Sequence, residues 1–148
     1  MRIGLYSPYI PQHFGGGEKH LLTSAWYLSQ QHTIEVLIPS GYKDLAERIK
    51  QYELQFDLDL SKVKFVTSKL ADKKSSAWQT WKITGRYGAF LYLTDGSLFL
   101  SGAKKNILHI QVPFTAAKNG VVEHFKLNNW KVKNANSEFT RQVVENAW

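Results

Sequence analysis

A chain of 148 residues, 43% hydrophobic and 21% charged, has the size and composition of one folded domain with a sizeable core, which excludes a disordered polyelectrolyte. It has no cysteine, which excludes disulfides, thiolate metal sites and cysteine nucleophiles and fits a reducing compartment. The balance of 19 basic and 12 acidic residues leaves a net charge of +7, which favours nucleic acid, anionic lipid or phosphorylated substrates without choosing among them.

Arg2 to Ser7 is a short apolar run suited to a strand buried on both faces, and Pro8 and Pro11 end it. Three glycines, Gly15-Gly16-Gly17, lead into Glu18-Lys19-His20, and Leu21, Leu22, Ala25, Trp26 and Leu28 then recur with the spacing of a helix from about Gly17 to Gln30. Thr33 to Ile38 is the second strand, stopped by Pro39-Ser40-Gly41. Asp44 to Tyr52 places Leu45, Ile49 and Tyr52 at helical spacing, and Lys62 to Thr67 alternates as a third strand. A polar, lysine-rich stretch from Ser68 to Ser76 precedes a short helix with Trp78, Trp81 and Ile83.

Ala89 to Thr94 reads as a strand closed by the Asp95-Gly96 turn, and Asn106 to Val112 as another ended by Pro113. Val121, Val122 and Phe125 suggest a helix. Trp130 to Ala135 is the last strand, and Ser137 an N-cap for a closing helix with Phe139, Val143 and Val144. Strands alternating with helices predict βαβ units. The expected fold is therefore an α/β, Rossmann-like, doubly wound and mostly parallel sheet of about six strands, with helices on both faces and ligands beyond the carboxyl ends of the strands.

No apolar run approaches the roughly 18 residues of a bilayer span, and the N-terminus has no basic segment leading into an apolar stretch and a cleavage site. A cytoplasmic protein is expected. The 20 aromatic residues (5 Trp, 7 Tyr, 8 Phe) exceed what an average core needs, so some are expected to line a groove or interface.

The glycine turn carries the most functional information. Strand, glycines and helix start together form an anion site, because the backbone can approach the ligand and the first-turn N–H groups face it. The sequence lacks G-x-G-x-x-G, which argues against a nicotinamide cofactor. A tight loop without a ligand is the plainer reading, with Glu18 as a helix cap that favours the dipole.

Three landmarks in this order resemble the N-terminal domain of family 4 glycosyltransferases of the two-domain GT-B fold. Gly15-Gly16-Gly17-Glu18-Lys19-His20 is similar to the family's Gly-Gly-Ala-Glu-Arg-His after strand one. Ile107 to Phe114 is similar to a strand ending in His-x-Pro, and Asn136-Ser137-Glu138-Phe139-Thr140 to the family's Asn-Ser-x-Phe-Thr. The resemblance covers residues 1–148 and implies the acceptor-side half of a retaining hexosyltransferase that uses a nucleotide-diphosphate sugar. It implies no tightly bound cofactor and no metal. The partner it implies is a nucleotide-binding C-terminal domain, in cis or as a split subunit, without which the chain is expected to be inactive.

On that reading Gly15, Gly16 and Gly17 face the donor diphosphate, while Asp95, His109 and Gln111 lie near a glycan or lipid-linked acceptor. His109 and Gln111 are the catalytic candidates. Gln111 stands where the family often has histidine, and glutamine hydrogen-bonds a sugar but is no general base. Retaining transfer that uses the donor phosphate as base tolerates it. His109, two residues earlier on the same strand face, is the substitute, against a plain reading as a satisfied core histidine. Asp95 reads as a turn residue or an acceptor ligand. Asn136, Ser137 and Thr140 form a structural capping motif.

The basic and aromatic stretch from Lys73 to Trp81, continued by Lys82, Arg86 and Tyr87, is expected either to pack its tryptophans on the sheet or to lie at the inner membrane face if the acceptor is lipid-linked. Nucleic-acid binding rests on this stretch and net charge alone and is disfavoured. The reading from another class is a non-catalytic Rossmann-like module that takes an anionic ligand or a partner protein.

Overall fold

The computed structural model describes residues 1–112 and 120–147, so Pro113 and Phe114 of the second landmark, and Trp148, lie outside the described residues. Its elements in chain order are β1 (Arg2–Tyr6), α1 (Gly16–Ser29), β2 (Thr33–Ile38), α2 (Leu45–Phe56), β3 (Val63–Thr67), α3 (Ala77–Thr84), β4 (Ala89–Thr94), β5 (Lys105–Ile110), α4 (Val121–Asn129), β6 (Val132–Ala135) and α5 (Glu138–Ala147). The strands form one sheet in the order β3-β2-β1-β4-β5-β6, and every pairing is parallel. This is the doubly wound, Rossmann-like order, which reverses direction between β1 and β4.

The pleat sends alternate side chains to two separate cores. On one face Ile3, Leu5, Ile34, Val36 and Ile38 meet Leu21, Leu22 and Ala25 of α1 and Tyr52 and Phe56 of α2. On the other, Tyr6, Phe90, Tyr92, Leu108 and Ile110 pack with Tyr87 and Trp130, and with Ile83, Leu127 and Val144 from α3, α4 and α5. Many of the aromatics are therefore core. Phe99 sits 4.7 Å from the Tyr92 ring and 5.2 Å from Trp130, whose indole N–H donates to the Phe99 carbonyl at 3.0 Å. Gly4 is needed in β1 because a Cβ there would lie 2.7 Å from the Phe90 ring.

Some elements depart from the sequence reading, and α2 runs on to Phe56 rather than ending at Tyr52. β5 ends at Ile110, which leaves Gln111 and Val112 past the strand. β6 starts at Val132, since Trp130 is the C-cap of α4 and its N–H donates to the Leu127 carbonyl at 3.1 Å. The tryptophans of α3 do not pack on the sheet: Thr80 and Thr84 point inward, and Trp78 and Trp81 stay 68% and 46% exposed. The loop before β5 lies against this helix instead: the Gly102 N–H donates to Thr84 Oγ1 at 2.8 Å, and a Cβ on Gly102 would lie 3.1 Å from the Trp81 ring. The helix expected from Val121, Val122 and Phe125 forms as α4, with all three side chains exposed and none of its residues fully buried.

Candidate functional site

In a parallel sheet every connecting helix begins at the carboxyl edge, so the start of α1 stands at the same rim as the ends of β4, β5 and β6. Leu93 pairs with His109 and His109 with Asn134, while Thr94 pairs with Ile110 and Ile110 with Ala135. One step on, Asp95, Gln111 and Asn136 follow as a row along that rim. Parallel register thus brings together residues that the sequence scatters over some forty positions.

The glycine turn presses onto this row. A Cβ on Gly17 would lie 2.6 Å from Gln111 Oε1 and 3.3 Å from Leu93 Cδ2, so only glycine admits the carboxamide this close. Gly15 is the N-cap, in extended backbone, and its N–H donates to Glu18 Oε2 at 2.7 Å. The Glu18 side chain is buried, so a carboxylate already serves one of the helix-start donors. Gly16 has open space where its Cβ would be. The first helical bond runs from the Lys19 N–H to the Gly15 carbonyl, and the Gly16 and Gly17 amides belong to the turn that precedes it.

His109 points to the α1 side of the sheet. Its ring stacks on His20 at 4.2 Å and 17°, and its Nε2 is buried with no hydrogen-bond partner among the described residues. Burial, followed by the His20 charge, pushes its pKa down to about 4. His109 is therefore neutral near pH 7 and about as weak a base as a carboxylate, which makes it a poor general base at that pH. A neutral imidazole still offers one donor and one acceptor.

Asp95 is occupied by its own turn. Its Oδ1 accepts from Ser97 Oγ at 2.6 Å, from the Ser97 N–H at 3.2 Å and from the Tyr92 hydroxyl at 3.2 Å, and Lys73 Nζ lies 3.8 Å from Oδ2. Burial pushes the carboxyl up, but the Ser97 bonds and Lys73 outweigh it and hold Asp95 below the usual range. The Asn136 N–H donates to the Ile110 carbonyl at 3.2 Å, which fastens β6 to β5 past the last strand pair. Ser137 Oγ accepts the Thr140 N–H at 3.1 Å and donates to Thr140 Oγ1 at 3.0 Å, and so caps α5.

Sequence reasoning missed an ion pair on the opposite face, between the half-exposed Arg2 and the buried Glu35. Arg2 donates to both oxygens of Glu35, at 3.0 and 2.8 Å, and the Tyr87 hydroxyl donates to Glu35 Oε2 at 3.0 Å. The signal for it was a glutamate inside the otherwise apolar run Thr33 to Ile38. Among the described residues no group of three or more His, Asp or Glu side chains could hold a metal ion, and no helix is long and apolar enough to cross a membrane. No protein-family model, curated protein or solved structure matches this chain.

Proposed function

We propose that this chain is the acceptor-side half of a retaining glycosyltransferase that moves a sugar from a nucleotide-diphosphate sugar to a glycan or lipid-linked acceptor. The observation that carries the reading is the approach of Gly17 to Gln111 and Leu93, which sets a glycine turn and a helix start across the ends of β4 and β5 beside the switch point of the sheet. The Gly16 and Gly17 amides would face the diphosphate, and the Glu18 carboxylate beside them would keep anion affinity low in this half alone. Asp95 Oδ2, Gln111 and His109 would meet the acceptor. With Gln111 no base and His109 a weak one, the donor phosphate itself would take the acceptor proton.

A second domain, in cis or as a separate subunit, would close over this rim and bring the nucleotide. The exposed Val121, Val122 and Phe139 at the starts of α4 and α5 are consistent with such a cover. For a lipid-linked acceptor, the stacked and exposed Trp78 and Trp81 beside Lys73 and Lys74 suit contact with the inner membrane face.

The test is a titration of the isotopically labelled chain with nucleotide-diphosphate sugars, followed by amide NMR. Weak binding that shifts Gly16 and Gly17, with Kd of about 1 mM or above, supports the reading. Nanomolar binding by these residues alone, or no response at either glycine, refutes it. A non-catalytic Rossmann-like module is the second reading. It is favoured by the Glu18–Gly15 bond, which satisfies the helix start without any ligand.

A further inference from the structure

A groove of about 390 Å³ lies on the face of the sheet away from α1, between α3 and the β2–β3 edge. That volume is at the small-molecule end of the range for binding sites. The short helix α3 leaves this edge only partly covered, and the gap remains open.

The Arg2–Glu35–Tyr87 cluster forms part of the lining. Arg2 engages both Glu35 oxygens and lies 5.2 Å above the Tyr87 ring, so the one carboxylate lining the groove is already neutralised. Lys69, Lys82 and Arg86 also line it, and among the described residues none of them has a carboxylate within ion-pair distance. Leu37, Val66 and Ile83 supply an apolar wall. Three uncompensated cations thus border one cavity of bounded size, with no second carboxylate to offset them.

We propose that this groove is a receptor for a phosphoryl group, held by Lys69, Lys82 and Arg86 with the body of its carrier against Leu37, Val66 and Ile83. A phosphate dianion matches this excess of cations better than a single carboxylate, and the guanidinium can grip two of its oxygens at once. The site is separate from the glycine turn, and the inference does not rest on glycosyl transfer. A phosphorylated sugar and a lipid phosphate headgroup share the recognised chemistry.

The experiment titrates the labelled chain with inorganic phosphate and with glucose 6-phosphate against sodium chloride at matched ionic strength. It also measures sedimentation with phosphatidylcholine vesicles with and without phosphatidic acid. Saturable amide shifts at Ser68, Lys69, Lys82 and Arg86 are expected with phosphate or its ester. The paired variant K82Q/R86Q should weaken them about tenfold or more, the loss of at least one charge-assisted hydrogen bond. The variant K104Q/K105Q removes the same charge at exposed lysines outside the groove and should leave binding unchanged. All four residues are exposed, and unchanged melting curves would show that both variants fold.

Preference for the sugar ester identifies a soluble carrier, and preference for phosphatidic acid that K82Q/R86Q abolishes identifies a lipid. Either supports the receptor. Equal losses in the two variants would mean a diffuse charge effect and overturn it, as would the absence of a groove response to phosphate, its ester and the vesicles.

Discussion

Helices α1 and α4 each follow a strand and each carry apolar residues at helical spacing, yet they meet different surroundings. In α1, Leu21, Leu22 and Ala25 are fully buried against β1 and β2. In α4, Val121, Val122 and Phe125 are 89%, 65% and 66% exposed, and only Leu127 is packed, partly, against the aromatic core. The same contrast divides the sheet. Strands β1 and β2 are buried along all but their first residue, while β6 at one edge is mostly solvent-facing and guarded by Lys131 and Lys133. Periodicity identifies the apolar face of a helix. What covers that face is a separate matter, settled by tertiary contacts or left to a partner.

The sharpest break of this contrast would come from the packed side. L22A should cost about 2–5 kcal/mol in urea unfolding, because a fully buried side chain leaves a cavity between α1 and the sheet. A loss below about 1 kcal/mol would mean that α1 is no better seated than α4.

His109 joins the two parts, since it lies on β5 and stacks on His20 of α1. With its folded pKa lowered from 6.5 to about 4, the unfolded chain takes up a proton that the folded chain refuses, so stability should fall as pH drops through that window. The expected loss is about 1–3 kcal/mol, and H109Q should flatten that slope. A pH-independent stability between 6.5 and 4 in the parent protein would contradict the burial of His109.

At Glu35 burial pushes the carboxyl up, but the Arg2 and Tyr87 bonds outweigh it and the net shift is down from 4.5. Its contribution is therefore complete above that value and lost as pH falls through the lower folded pKa. E35Q should cost about 1–2 kcal/mol at pH 7, discounted because Arg2 is half exposed, and should remove the lowest-pH part of the acid transition. Acid melting curves of the parent and variant check this.

In the loosely covered part smaller effects are expected. S137A should cost about 1 kcal/mol by removing the cap from the Thr140 N–H. F125S, on the exposed face of α4, should stay within about 0.5 kcal/mol. Thermal melts check both, and an F125S cost close to that of L22A would erase the contrast between the two helices.

Much of the architecture was legible because it rests on local signals. Pro8, Pro39 and the Asp95-Gly96 turn end their strands, Ser137 caps its helix, and the β-α rhythm implies a parallel sheet. The rim residues were legible one at a time as strand ends. Their assembly was not, because register between β4, β5 and β6 depends on pairings across long stretches of chain. The sequence left open whether the tryptophans of α3 pack on the sheet or face outward, because helical spacing alone does not say which side of the helix the loop at Gly102 takes up. The Arg2–Glu35–Tyr87 cluster spans 52 residues between Glu35 and Tyr87, and no local pattern reports such a contact.

By itself the sequence determined the order of elements, the two apolar faces of the sheet and the glycine turn at the start of α1. These follow from side-chain period, backbone freedom and turn chemistry, all of which act within a few residues. Only the tertiary structure decided that Gln111 lies against Gly17, that His109 loses its solvent and its basicity against His20, and that three cations share one groove beneath α3. Burial, desolvation and the convergence of charge depend on distances between remote parts of the chain, and those distances exist only once the sheet has closed its register.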